Sequence, residues 1–175
     1  MKHILKPLAV SLGVALSLSA CVTAEREVPF HSDAFTSILQ PGSEYIMGQA
    51  FTVLKDGARR VQENGPVIMM PDNAYTEEIV EKEYNQALKL SAPDLHLQKY
   101  VRETRSDING NFTFKKVPPG RYIVASHIKW YINEDETDAD GNSYTSQMPV
   151  DQWVWCNVTV RNGDPREIVG WSQGK

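Results

Sequence analysis

The chain has 175 residues, 41% of them hydrophobic and 23% charged, with 18 Lys and Arg against 22 Asp and Glu. That is a leader plus about one domain, with apolar residues enough for a core. The acidic balance excludes a phosphate-neutralising surface, so neither nucleic acid nor direct adsorption to an anionic membrane is expected.

Residues 1–20 read as a secretion signal. Lys2 and Lys6 precede an apolar run from Leu8 to Leu18, long enough for a signal core and too short to cross a bilayer. Leu18-Ser-Ala-Cys21 closes that run with small residues ahead of the cut, and it resembles the lipobox of bacterial lipoproteins. The resemblance implies that Cys21 is acylated on sulfur, becomes the new N-terminus and ties the protein to a membrane. The alternative is an ordinary secretory signal cut before Cys21, which leaves a soluble periplasmic protein in which Cys21 and Cys156 could pair. Val22 stands where an Asp would retain an enteric-type lipoprotein at the inner membrane. The location implied is therefore the outer membrane of a Gram-negative bacterium, facing the periplasm or the surface. Processing removes Lys2 and Lys6 and makes the mature chain more acidic still.

Residues 21–44 mix charges with Pro29, Pro41 and Gly42 and read as a lipid-anchored tether, part of which could dock through Phe30, Phe35, Ile38 and Leu39. The domain is expected over 45–175. Tyr45 to Leu54 predicts a strand before the turn Lys55-Asp-Gly57, and Gly65 to Pro71 predicts a second. Val80, Tyr84, Ala87 and Leu88 then recur at helical spacing, which predicts an amphipathic helix over 73–90, stopped by Pro93. Residues 95–106 read as extended.

Asp107-Ile-Asn-Gly-Asn-Phe-Thr-Phe114 follows, with Asn109-Gly110 predicting a tight turn in which both residues take positive φ, and Asp107 as its cap. Pro119-Gly120 predicts a type II turn with Gly120 at positive φ. Tyr122, Val124, Ile128 and Trp130 share one face of the next strand. Residues 131–151 read as an acidic loop, 153–160 as a strand with Cys156 on its core face as a buried, inert thiol, and Ile168-Val169 as the last strand.

The run Asp107-x-Asn-Gly-x-Phe-x-Phe-x-x-Val-Pro-Pro-Gly-x-Tyr-x-Val124 resembles the core hairpin of carboxypeptidase regulatory-like domains. The resemblance implies a mainly β fold: a transthyretin-like, Ig-like antiparallel β-sandwich of about seven strands, here with one inserted helix. It also implies a stabilising, spacing or ligand-presenting module, and it carries no activity of its own.

Candidate chemistry is sparse. Gly170-Trp-Ser-Gln-Gly174 spells a nucleophile elbow but lacks the following helix, so it is a chance match. His31, His96 and His127 have no metal-ligand spacing. No catalytic residue and no cofactor are expected. Asp138-Ala-Asp-Gly-Asn142 begins like a calcium loop, but Ser143 and Pro149 at the sixth and twelfth positions exclude an EF-hand. Asp138, Asp140 and Asn142 are left as weak calcium candidates against a solvated loop. Trp153, Trp155, Trp130 and Tyr131 are the candidate glycan platform, unless the inserted helix buries both Trp153 and Trp155. The expected function is a non-enzymatic envelope lipoprotein that engages other envelope proteins as an interaction or scaffold module. The alternative is a membrane-presented carbohydrate-binding module.

Overall fold

A computed structural model describes residues 23–91, 95–163 and 166–171, the last of these by their backbone alone. Ten strands follow in chain order: β1 (Thr23–Ala24), β2 (Glu44–Val53), β3 (Arg59–Val61), β4 (Pro66–Pro71), β5 (Lys89–Leu90), β6 (Arg102–Arg105), β7 (Asn111–Val117), β8 (Gly120–Thr137), β9 (Ser143–Val160) and β10 (Arg166–Trp171). One sheet has the order β6-β4-β8-β9, antiparallel throughout. In the other, β2 pairs antiparallel with β7 and β3, and parallel with β10. The protein is thus mainly β, with a β-sandwich of antiparallel sheets. It exceeds the expected seven strands through short additions, and β10 departs from the antiparallel rule.

The main core lies between the sheets. Ile46 and Ala50 of β2 and Phe112, Phe114 and Val117 of β7 pack against Val67 and Met69 of β4, Tyr122 and Val124 of β8, and Val158 and Val160 of β9. Alternation along each strand delivers these residues to one face. Yet Tyr122-Ile-Val-Ala-Ser126 is buried at every position. Such a run requires a sheet covered on both sides.

The second cover is helical. Helix α1 (Ala74–Ile79) starts on a capping box in which the Asn73 side chain accepts from the Thr76 backbone N–H and Thr76 Oγ1 accepts from the Asn73 N–H. It runs on as a π-helix over Val80–Asn85. Val80 packs with Met70 and Ile123 on the outer face of the sheet. The helix stops short of the expected residue 90 because Ala87 is in the left-handed region, at φ 53°, after which Lys89–Leu90 pairs with β1. Residues 95–100, expected to be extended, form a 3-10 helix.

The tether expected over 21–44 is revised across residues 23–44. Ser32–Leu39 is a 3-10 helix in which Phe35 and Ile38 are buried while Leu39 is exposed. Phe35 anchors a second apolar cluster with Tyr75, Ile79, Leu90 and Leu97. A polar clasp completes the dock: Glu78 accepts from the backbone N–H groups of Glu27 and Val28, and Lys82 bridges Glu78, Glu27 and the Glu25 carbonyl. The aromatic positions carry enough burial to order the segment, which charge and Pro content had masked.

Two turns differ from expectation. At Asp107–Asn111 only Gly110 has positive φ, so a type I turn with a left-handed glycine replaces the doubly left-handed form. Gly120 has no positive φ and already belongs to β8; its missing Cβ makes room for the Tyr122 ring, whose hydroxyl donates to the Pro118 carbonyl. The expected acidic loop over 131–151 is instead paired backbone. β8 and β9 run in unbroken register from Gly120 opposite Val160 to Thr137 opposite Ser143. Beyond Lys129 and Asp151 this hairpin leaves the sheet as an arm roughly 25–30 Å long.

The clasp predicts a pH dependence. Burial alone would raise the Glu78 carboxyl, but Lys82 and the two backbone donors outweigh it and hold the group below its ordinary value of 4.5. A lowered folded-state value gives stability that is present above the unfolded value and lost as pH falls. The Glu78 side chain is 6% exposed, but it lies near the surface where screening acts. Glu78→Gln is therefore expected to cost about 1 kcal/mol at pH 7 by urea denaturation. The difference from the parent should shrink as pH falls below 4.5; a difference that grows on acidification refutes the clasp.

Candidate functional site

The β8–β9 register sets His127 directly opposite Trp153 and Ala125 opposite Trp155. All four lie on the outer face of the sheet, away from Tyr122 and Val124. The His127 ring stacks on Trp153 with centroids 4.7 Å apart and planes 11° from parallel. Tyr84, from the π-helical turn, also stacks on Trp153 at 4.1 Å and 15°. The next residue, Asn85, accepts from Trp155 Nε1 at 3.2 Å through its side-chain oxygen. The wider winding of a π turn lets two successive side chains face one sheet.

These contacts frame an open cleft of about 1000 Å³, with Glu81, Glu83, Tyr84, Asn85, Gln86 and Lys89 on one wall and His127, Asp151, Gln152, Trp153 and Trp155 on the other. Each wall is braced. Glu81 accepts from Asn85 Nδ2 at 2.9 Å and Gln86 Nε2 at 2.7 Å. His127 Nε2 lies 2.7 Å from Asp151 Oδ2, and Gln152 Oε1 accepts from the buried Thr52 hydroxyl at 2.9 Å. Burial, and then the charge of Glu83, push the Tyr84 phenol well above its ordinary range, so it stays protonated.

The two tryptophans differ. Trp153 spends its π surface on Tyr84 and His127. Trp155 is partly buried, is fixed by Asn85 and has no stacked ring among the described residues. It also borders a smaller hollow of about 280 Å³ with Glu77, Val80, Ile123 and Asn157. The helix therefore covers this face in part, and neither indole is fully buried. The expected platform of four divides. By register Trp130 lies on the opposite face, and Tyr131, 67% exposed, sits out on the arm and does not line the cleft.

The calcium spacing has a different cause. Asp138 Oδ1 accepts from the backbone N–H of Asp140 and Asn142, and Oδ2 accepts from Asn142 Nδ2. Asp107 makes the same bonds to Asn109 and Asn111, and both following glycines have positive φ, 82° and 85°. Asp-x-Asx-Gly-Asn is thus one turn used twice. These bonds, led by the Asn142 N–H at one turn and the Asn111 side chain at the other, hold both carboxyls below their ordinary range. Among the described residues no His, Cys, Asp and Glu side chains gather as a metal set.

Cys156 packs against the main core, and burial pushes its thiol up to about 12. Cys21 and Ser172 to Gly174 of the elbow-like run lie outside the described residues, while Gly170 and Trp171 belong to β10. Tyr84, Asn85, Glu83, His127 and Asp151 were not among the expected site residues. The repeat of the Asp107 turn at Asp138 is the signal that would have found the last two. It marks a hairpin tip, and counting back along both strands pairs His127 with Trp153.

Residues 86–154 match a protein-family profile described as the second β-sandwich domain of BOS complex subunit NOMO1-like proteins. A crystal structure from Pseudomonas aeruginosa, described as a "putative carbohydrate binding protein", is similar with a TM-score of 0.64 and 24% identity, over 80% of this chain and 95% of that one. The fold is a β-sandwich similar to these. The major pilin subunit of Bacillus cereus aligns with a TM-score of 0.34 and 14% identity over 77% of this chain and 31% of its own, too low to bear on the argument. Among curated proteins none matches the sequence.

The two turns predict unequal costs for one substitution. Gly110 abuts the Ala50 carbonyl at the edge of the core, whereas among the described residues nothing lies within 4 Å of where a Cβ at Gly141 would sit. Asp107→Ala should lower the urea midpoint of the whole domain. Asp138→Ala should leave it in place and accelerate hydrogen exchange only near Asp140 and Asn142. Equal midpoint shifts would show that the arm is part of the cooperative core.

Proposed function

We propose that the protein is a lipid-anchored, non-catalytic envelope module that binds a glycan in the cleft beside Trp155. The observation that carries this reading is Trp155 itself, an indole fixed by Asn85, without a stacked ring among the described residues, and bordered by open space. The C–H face of a pyranose is apolar and lies well on an aromatic ring, while its hydroxyls need amides and carboxylates around the rim. Asn85, Gln86 and Asp151 supply them. The fold shared with the Pseudomonas aeruginosa protein supports the same reading. His127 is bonded to Asp151 with no hydroxyl or thiol bonded to it among the described residues, which favours binding over catalysis. The lipobox-like Leu18 to Cys21 supports lipid attachment to a membrane, and Val22 in place of an Asp supports the outer one.

A second reading, a protein-interaction module, is favoured by the β8–β9 arm. A lone two-stranded ribbon is marginal in water, and this one exposes Tyr131, Tyr144 and Met148.

Isothermal titration of the full chain in detergent against cell-wall and outer-membrane oligosaccharides tests the cleft. Trp155→Ala is expected to weaken binding by about tenfold or more, and a parent that binds none of them overturns the glycan reading. Metabolic labelling with a fatty acid tests the anchor: Cys21→Ser should abolish incorporation, and persistent label would refute it.

A further inference from the structure

We propose that the cleft prefers glycans bearing free amino groups, of the glucosamine type, over N-acetylated or acidic ones; this rests on the glycan reading of the same cleft. Three carboxylates, Glu81, Glu83 and Asp151, line it, with Lys89 and His127 beside them. Two of the three are occupied. The oxygens of Glu81 take the amides of Asn85 and Gln86, and Asp151 takes the His127 ring N–H. Glu83 is different. It is partly buried, it lines the cleft beside Tyr84, and it has no hydrogen-bond or ion-pair partner among the described residues.

A carboxylate that lines a cleft without a partner is open to a cation, which gains a charge-assisted hydrogen bond there. The Trp155 indole on the facing wall adds attraction of its own, because its negative π-face favours a positive charge nearby. A protonated amino sugar meets both features at once: its ring lies on the indole and its ammonium reaches a carboxylate. A uronic acid or a phosphorylated sugar meets repulsion from the same groups. An N-acetyl sugar can stack, but its neutral amide gains no ion pair.

Titration of the full chain in detergent at pH 6 with three hexamers tests the preference: glucosamine, N-acetylglucosamine and a uronic acid. Glucosamine hexamer is expected to bind about tenfold tighter than its acetylated counterpart, and the uronic acid not at all. Glu83→Gln should narrow that ratio to about twofold, with N-acetylglucosamine binding unchanged. Equal or weaker binding of glucosamine hexamer, or a ratio unmoved by Glu83→Gln, overturns the preference and leaves the glycan reading standing. Glucosamine hexamer binding that survives Trp155→Ala is adsorption to the acidic surface and also overturns the preference. Failure of all three hexamers with the parent overturns the preference and counts against the glycan reading itself.

Discussion

From Gly120 opposite Val160 to Thr137 opposite Ser143, β8 and β9 pair without a bulge, and side chains on such a ladder alternate strictly between its faces. A one-residue slip would exchange Tyr122 and Val124 in the core for Ile123 and Ala125. A slip of β9 instead would send Trp153 and Trp155 into the sandwich. The ladder therefore fixes the core and the cleft together. Both ends of it are secured independently of the cleft, by Tyr122 packed under Gly120 and by the Asp138 turn at the tip.

The outer face of this ladder could not stand alone. Ile123 and Met70 are apolar and point away from the main core, so they need the cover that Val80 provides. The helix that carries Val80 is held in turn by the N-terminal segment, through Phe35 against Tyr75 and Ile79 and through the Glu78–Lys82 clasp. A segment that reads as a tether is thus the outermost of three layers. Under the proposed anchoring, the domain would stand close to the membrane, because little chain remains between Cys21 and β1.

Much of the sandwich was legible because its signals are local. Phe112, Phe114, Tyr122 and Val124 alternate plainly, and the Asp107 turn sits between β6 and β7. The arm was not legible, because acidic residues mask strand periodicity. Glu136 and Asp135 tolerate the strand only because Ser146, Tyr144 and Thr145 donate to them from across the hairpin, a pairing visible only once the register is known. The cleft failed for a related reason. Trp153 and Trp155 stand out by residue type, but what separates their roles is Tyr84 on one and Asn85 on the other, seventy residues away in sequence. Trp130 was grouped with them by proximity along the chain, which alternation overrules.

The end of the helix shows why a cleft exists at all. Continued to Leu90 as its periodicity predicts, an α-helix would set Leu88 one turn beyond Tyr84 and lay it over the same sheet face, closing the space beside Trp153. Instead the helix widens into a π turn and Ala87 adopts a left-handed conformation, which costs about 1–2 kcal/mol for a residue with a Cβ. A chain under selection for stability alone has an easy remedy in glycine at that position. Local departures of this kind gather at sites of function, where the neighbouring structure holds them in place. Here the holding groups are Tyr84 against Trp153, Asn85 against Trp155, and the β1–β5 pairing just beyond. The strained turn and the open, indole-lined wall are one feature, and that coincidence argues more strongly for a binding cleft than the tryptophans do by themselves.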